Sequence, residues 1–259
     1  MTGFTRRNYG RGHAYYLDGR KLDGVTTILS KGLPKPALVN WAANTAAALA
    51  VDQWDELALL PPSERLKRIS KAHDAARDKA AVRGTQVHAL ADRLARGEEV
   101  TVPDGLAGHV ESCVKFLDDW QPQTLMTETP VYHEKYLYAG TLDLLVGMDD
   151  VGGQGMQTWL LDFKTSKSGA YGDTAFQLAA YANATHCQRP DGSVHTMPIV
   201  DRCGVVWLRA DGYDLYPYHA DPGVFRQFLY IQQCARAAED CRDYRGDALT
   251  PPVRQEVTT

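Results

Sequence analysis

Two runs in the middle of the chain carry its strongest apolar pattern. Gly140-Thr141-Leu142-Asp143-Leu144-Leu145-Val146 and Thr158-Trp159-Leu160-Leu161-Asp162-Phe163-Lys164 are rich in branched and aromatic residues, and the glycine-laden Asp149-Asp150-Val151-Gly152-Gly153-Gln154-Gly155 separates them. This pattern predicts a β-hairpin with a longer loop. Tyr171 to Ala184 is alanine-rich and predicts a helix that Asp173 or Thr174 caps, with Gln177 and Tyr181 one turn apart on one face. Leu106, Val110, Cys113, Phe116, Leu117 and Trp120 form a helical stripe suited to packing on a sheet, with Asp104 as its cap and Pro122 as its end. Arg202 to Ala210 and Tyr213 to His219 predict a second hairpin through Asp211-Gly212, and Asp221-Pro222 opens a closing helix to about Tyr244.

The N-terminal third reads differently. His13 to Leu17 and Lys21 to Val25, joined at Asp18-Gly19-Arg20, predict a small hairpin, and Thr26 or Thr27 caps a short helix ending at Gly32. Pro36 opens a longer helix to about Trp54, on which Leu38, Trp41, Thr45 and Leu49 form one packing face, with Trp41 as a core residue. Pro61-Pro62-Ser63 starts a strongly charged helix to about Arg83; Gly84 permits a break or a close approach, and Thr85 to Arg96 form a further helix that carries His88 and closes at Gly97. The expected fold is α/β, a mixed sheet flanked by helices. Residues 1–82 form a hairpin and helical lobe, 83–244 the core domain, and 245–259 a loose tail.

Composition narrows the class. The chain has 259 residues, 44% hydrophobic and 23% charged, enough for one large core with an appended lobe. No long apolar run and no leader-like N-terminus occurs, so the expectation is a cytoplasmic protein with no membrane partner. The cysteines (113, 187, 203, 234 and 241) are odd in number, scattered and free of Cys-x-x-Cys, which implies reduced thiols rather than disulfides or zinc. A net charge of −4 counts against a general nucleic-acid binder. Basic residues nevertheless cluster at Arg6, Arg7, Arg11, Arg20 and Lys21, and again at Arg65, Lys67, Arg68, Lys71, Arg77, Lys79 and Arg83.

In an antiparallel hairpin, facing positions keep a constant sum. A turn centred on Gly152-Gly153 therefore places Asp143 opposite Asp162, and Lys164, two residues on, projects to the same side. Two carboxylates beside an ammonium suit Mg²⁺ or Mn²⁺, with the backbone carbonyl of Phe163 as a further ligand and the lysine orienting or deprotonating water. The plainer alternative is an exposed Asp162/Lys164 ion pair. Glu128 reads as a rim glutamate, with a carboxylate just behind the ligands or on a second metal as its alternative.

Gly140-Thr141-Leu142-Asp143, then Asp162-Phe163-Lys164-Thr165, then Gln177-Leu178-Ala179-Ala180-Tyr181 resemble the RecB-type branch of the PD-(D/E)XK nuclease superfamily. Arg83-Gly84-Thr85-Gln86-Val87-His88 resembles that branch's G-x-x-V-H element, and the residues before Arg83 loosely resemble the helical leaders of phage-encoded members. The resemblance implies a restriction-endonuclease-like fold and an exonuclease of DNA replication, recombination or repair that takes linear DNA with free ends. It further implies metal bound by His88, Asp143 and Asp162, Lys164 as the catalytic lysine, and Gln177 with Tyr181 at the nucleic-acid backbone. A helicase or recombination partner would fit, as would a bacterial host cytoplasm if the chain is phage-encoded. The chain lacks the cysteine cluster with which some relatives bind iron and sulfur. Two other functions fit the same residues: a catalytically silent DNA-end-binding subunit, or a metal-dependent phosphoesterase of small substrates.

Overall fold

The computed structural model describes residues 3–10, 12–149, 152–153, 155–166 and 169–250. Three short strands open the chain, β1 (Phe4–Tyr9), β2 (Gly12–Leu17) and β3 (Arg20–Gly24), followed by α1 (Val25–Gly32). Four helices follow: α2 (Pro36–Asp52), α3 (Trp54–Ala58), α4 (Pro62–Ser70) and α5 (Ala72–Ala95). A 3-10 turn at Asp104–Leu106 leads into α6 (Ala107–Trp120), and then come β4 (Gln123–His133), β5 (Tyr138–Asp149) and β6 (Met156–Lys164). The chain closes through α7 (Thr174–Ala182), β7 (His186–Gln188), β8 (Val194–Thr196), β9 (Arg202–Arg209), β10 (Gly212–Tyr218) and α8 (Pro222–Asp240). No helix of the described residues is long and apolar enough to cross a membrane.

All ten strands of the described residues join one sheet, mostly antiparallel, with β5 at its centre. β5 and β6 pair from Leu144↔Leu161 to Asp149↔Met156, the register that the constant sum requires. On its other side β5 pairs with β4 along nearly its whole length. β6 runs parallel to β9, which pairs with β10. At the start of β5, β3 adds a short parallel contact at Tyr138 and Ala139 and so ties the N-terminal strands into the same sheet. The turn between β2 and β3 has positive φ at both Asp18 and Gly19, the conformation a tight hairpin demands.

Both faces of the sheet are covered. On one, Val25, Ile28 and Leu29 of α1, Leu178 and Tyr181 of α7, and Phe228 of α8 pack with Leu142, Leu145, Leu160 and Val205. On the other, Val87 and Ala91 of α5 and Cys113 and Phe116 of α6 pack with Leu144, Val146, Leu161, Phe163 and Val206. The fold is therefore mixed α/β with a helix layer on each side of a large sheet.

Several N-terminal expectations are corrected. α2 is built of apolar residues all round, yet none is buried: Leu38 is 56% exposed and Trp41 40%, so Trp41 is not core. α5 is one helix through Gly84, and the break falls instead between Ser70 and Ala72. A Cβ at Gly84 would make only ordinary contact, with Thr165. α5 runs through residues 82 and 83 without interruption. Asp173 does not cap α7 with its side chain, because its carboxylate pairs with Lys35 of the segment before α2, 2.9 Å away.

Candidate metal centre

The site starts from a gap in hydrogen bonding. On one side of β5, the ladder to β3 ends at Ala139 and the ladder to β6 begins at Leu144. Past Leu161, β6 leaves β5 and continues along β9 alone, as far as Lys164↔Trp207. Asp143 lies in the opening, and its Oδ2 accepts the amide N–H of Phe163 at 2.9 Å. A carboxylate thus substitutes for the missing ladder partner and holds the splayed strand end in place. The alternation of β5 breaks at the same point, since Leu142 and Leu145, three residues apart, face the same core.

Two further ligand types converge on Asp143. His88, on α5, brings Nδ1 to 3.3 Å from Asp143 Oδ2, and its ring packs edge-on to buried Phe163. Glu128 lies across from Asp143 on β4, between the pairs Thr127↔Leu144 and Thr129↔Leu142, with φ of +42°. A left-handed, non-glycine residue inside a strand is strained, and its surroundings must hold it there. Ligand atoms of His88, Glu128 and Asp143 all lie within 4.8 Å of one another.

Asp162, the other expected ligand, stands beside this trio rather than within it. Only 3% exposed, it accepts Gln177 Nε2–H at 2.7 Å through Oδ1, while Oδ2 lies 2.6 Å from Lys164 Nζ. That ion pair falls off the line of a good hydrogen bond, so the ammonium is held by charge more than by direction. Gln177 reaches Asp162 from α7 and braces it. Tyr181, one turn on, is 4% exposed, and its ring fills the space beside Gly140, where any Cβ would overlap it. The expected outward contact of Tyr181 with a polynucleotide is not what its burial favours. Phe163 enters the site through its N–H, whereas its carbonyl was the expected ligand.

Charge in the site is balanced by proximity. Burial, the largest influence on His88, opposes its charged form, but the Asp143 and Asp162 carboxylates outweigh it and hold His88 up to about 9. Glu128 is pushed up to about 7, first by burial and then by the Asp143 charge. Burial works to raise Asp143 as well, but His88, Lys164 and the Phe163 amide bring it below the usual carboxylate range. Burial raises Asp162 against the pull of Lys164. The Lys164 ammonium, disfavoured by burial, is held protonated by Asp162 and Asp143. A cation would relieve the crowding of Glu128 against Asp143. The donor set, one imidazole with two carboxylates, could hold a divalent cation and does not by itself select which one.

Glu128 is the residue that sequence reasoning undervalued. The constant-sum argument that paired β5 with β6 applies equally to β4 and β5, whose register places Glu128 opposite Asp143. The N-terminal strands also border the site: Tyr15 Oη bonds Thr141 Oγ1 at 2.7 Å and His13 Nε2 at 2.9 Å, two residues from Asp143 on β5.

No family model matches the chain, and no curated protein does. Among solved structures it is similar to one described as "Crystal structure of SSO0001", at 14% identity and a TM-score of 0.30 over 86% of this chain and 76% of that one, a likeness that carries no functional argument.

Proposed function

We propose that the chain is a Mg²⁺- or Mn²⁺-dependent deoxyribonuclease with a restriction-endonuclease-like core, acting as an exonuclease on linear DNA. One observation carries this reading: an imidazole and two carboxylates meet at a splayed hairpin end, beside a lysine held by its own buried aspartate. His88, Glu128 and Asp143 would hold the metal. When bound, the metal supplies positive charge for the developing phosphorane oxygens and lowers the pKa of a coordinated water. Lys164 stands at the mouth of the site, its side chain 31% exposed, where an ammonium can steer the attacking water and neutralise a phosphate oxygen. Asp162 fixes that ammonium, and Gln177 fixes Asp162. In the hydrolysis the water oxygen bonds to phosphorus, the bond to one sugar oxygen breaks, and that oxygen leaves with a proton.

The test is incubation of the purified protein with end-labelled linear DNA and with closed circular DNA, in Mn²⁺ or chelator. Mn²⁺-dependent loss of linear DNA, abolished in both Glu128→Gln and Lys164→Ala while their circular-dichroism spectra match wild type, supports the reading. DNA binding without cleavage would make the chain a silent end-binding protein, and cleavage of only small phosphodiesters would make it a phosphoesterase.

A further inference from the structure

The opening in the sheet that holds Asp143 has two walls. Splayed β6 with Lys164 forms one, and the N-terminal hairpin, which β3 anchors to β5 at Tyr138 and Ala139, forms the other. In the β1/β2 ladder Arg6 is the partner of Tyr15, so its side chain projects to the same side as Phe4, His13 and Tyr15. Phe4 and Tyr15 are buried against Tyr132 and Ala139, which fixes that side as the one turned toward β4 and β5. Arg6 and His13 continue it beyond the packed part and are exposed. Arg7 projects to the other side, where its guanidinium lies 4.7 Å over the Tyr16 ring.

A chain of polar contacts joins Arg6 to the strand of the ligands. Tyr15 Oη lies 2.7 Å from Thr141 Oγ1 and 2.9 Å from His13 Nε2, and His13 Nδ1 lies 3.5 Å from Arg6 Nη2. A guanidinium only donates, so Nδ1 accepts, Nε2 carries the hydrogen and donates to Tyr15 Oη, and the phenol O–H is left to donate to Thr141. Burial first, and then the Arg6 charge, hold His13 below the usual histidine range and so keep it neutral, as this chain requires. The same charge reaches the site, for Glu128, raised first by burial, is drawn back in part by Arg6. No carboxylate of the described residues forms an ion pair with Arg6. We propose that Arg6 is a substrate-binding residue on the wall opposite Lys164, held there by His13 and Tyr15, where it takes a backbone phosphate of the DNA strand lying across the opening; that ligand rests on the nuclease reading. Phosphate oxygens accept from the paired donors of a planar guanidinium.

Arg6→Met keeps the stem and removes the charge, and Arg7→Met does the same on the far side of the strand. In chelator, where no cleavage occurs, binding of end-labelled linear oligonucleotides is measured over a range of salt. Arg6→Met should bind about tenfold more weakly at low salt, and its slope of log Kd against log salt should fall by about 1, whereas Arg7→Met should change the slope by less than about half as much. Both variants should melt within about 2 °C of wild type, because each side chain is exposed. Tyr15→Phe keeps the buried ring and removes the hydroxyl that supports His13. It should weaken binding about threefold in the wild-type background and not at all in the Arg6→Met background, since Tyr15 acts through Arg6. Equal slope changes in Arg6→Met and Arg7→Met overturn the contact, as does an unchanged slope in Arg6→Met, and in a wild type that cuts linear DNA in Mn²⁺ either result leaves the nuclease reading standing. A Tyr15→Phe effect of the same size in both backgrounds removes Tyr15 from the assignment. A slope that depends on Arg6, in a protein that cuts no DNA, keeps the contact and sinks the nuclease reading instead, and a wild type that binds no DNA overturns both.

Discussion

The strands around the site and helix α2 of the N-terminal lobe are both rich in apolar residues, yet they use them in opposite ways. Leu142, Leu144, Leu145 and Leu161 have no exposed surface at all, whereas neither α2 nor α4 buries a single residue. Val51 is 78% exposed and Leu59 87%. Polar clamps hold much of the lobe. Arg65 donates to the carbonyls of Leu57, Ala58 and Leu60, Arg68 reaches Gln53 and Glu56, and Lys35 bonds Asp173. Apolar composition alone does not make a core; a second surface must meet it. The sheet has one on each face, and so it can hold a strained Glu128 and a buried Asp162 in fixed positions.

The contrast is broken most directly at a close contact. Gly140→Ala forces Tyr181 out of its place and should cost about 1–3 kcal/mol, lowering the melting midpoint by several degrees, whereas Val39→Ala on α2 should stay within about 0.5 kcal/mol. Equal losses in thermal melts would show that the lobe is packed as firmly as the sheet.

Metal binding sharpens it next. Ligation needs neutral His88 and ionised Glu128, which are held up to about 9 and about 7. Binding Mn²⁺ should therefore release between about one and two protons at pH 7 and about one at pH 8, and affinity should rise between pH 7 and 9. Calorimetry in buffers of different ionisation heat reads the proton count, and a count near zero would remove His88 from the ligand set. In the metal-free protein the raised His88 value has the opposite sense: its contribution to stability is full below about pH 6.5 and is lost as pH rises through about 9. The melting gap between wild type and His88→Gln should narrow over that range.

Hydrogen exchange offers a finer comparison, because amides of α2 should exchange well before those of β5. The smallest effect belongs to Lys35→Ala, which removes a partly exposed ion pair worth no more than about 1 kcal/mol. It should leave the melting midpoint almost unmoved but speed exchange in α2. Unchanged exchange there would mean that Lys35 does not tether the lobe.

Most of the sheet was legible because its central strands are continuous apolar runs and their turns are short or glycine-rich. The β5/β6 register, the β9/β10 hairpin and the Asp221 cap, which accepts Gly223 N–H at 2.7 Å and Val224 N–H at 3.1 Å, follow from local chemistry. What escaped depends on distant partners. β1, β7 and β8 are strands because neighbours pair with them, not because their own pattern demands it. Gly84 costs α5 about 1 kcal/mol relative to alanine, too little to interrupt a helix that flanking residues bury. Of the site, His88, Asp143, Asp162 and Lys164 were legible as chemistry. The pairings of His88 with Asp143 and of Asp162 with Lys164 were among the sequence readings, whereas the place of Glu128 was not, because a strained strand turns it toward Asp143.

The unbroken helix α5 has a mechanical consequence. Its 24 residues form a rod about 36 Å long, with one end among the loosely held lobe helices and His88 in its second half. Val87 and Ala91 pin that half against the sheet and act as its fulcrum. His88 lies between these two anchors, so the packing that seats the helix on the sheet also sets the imidazole beside Asp143. The lobe helices and the imidazole beside Asp143 are therefore joined by one unbroken element.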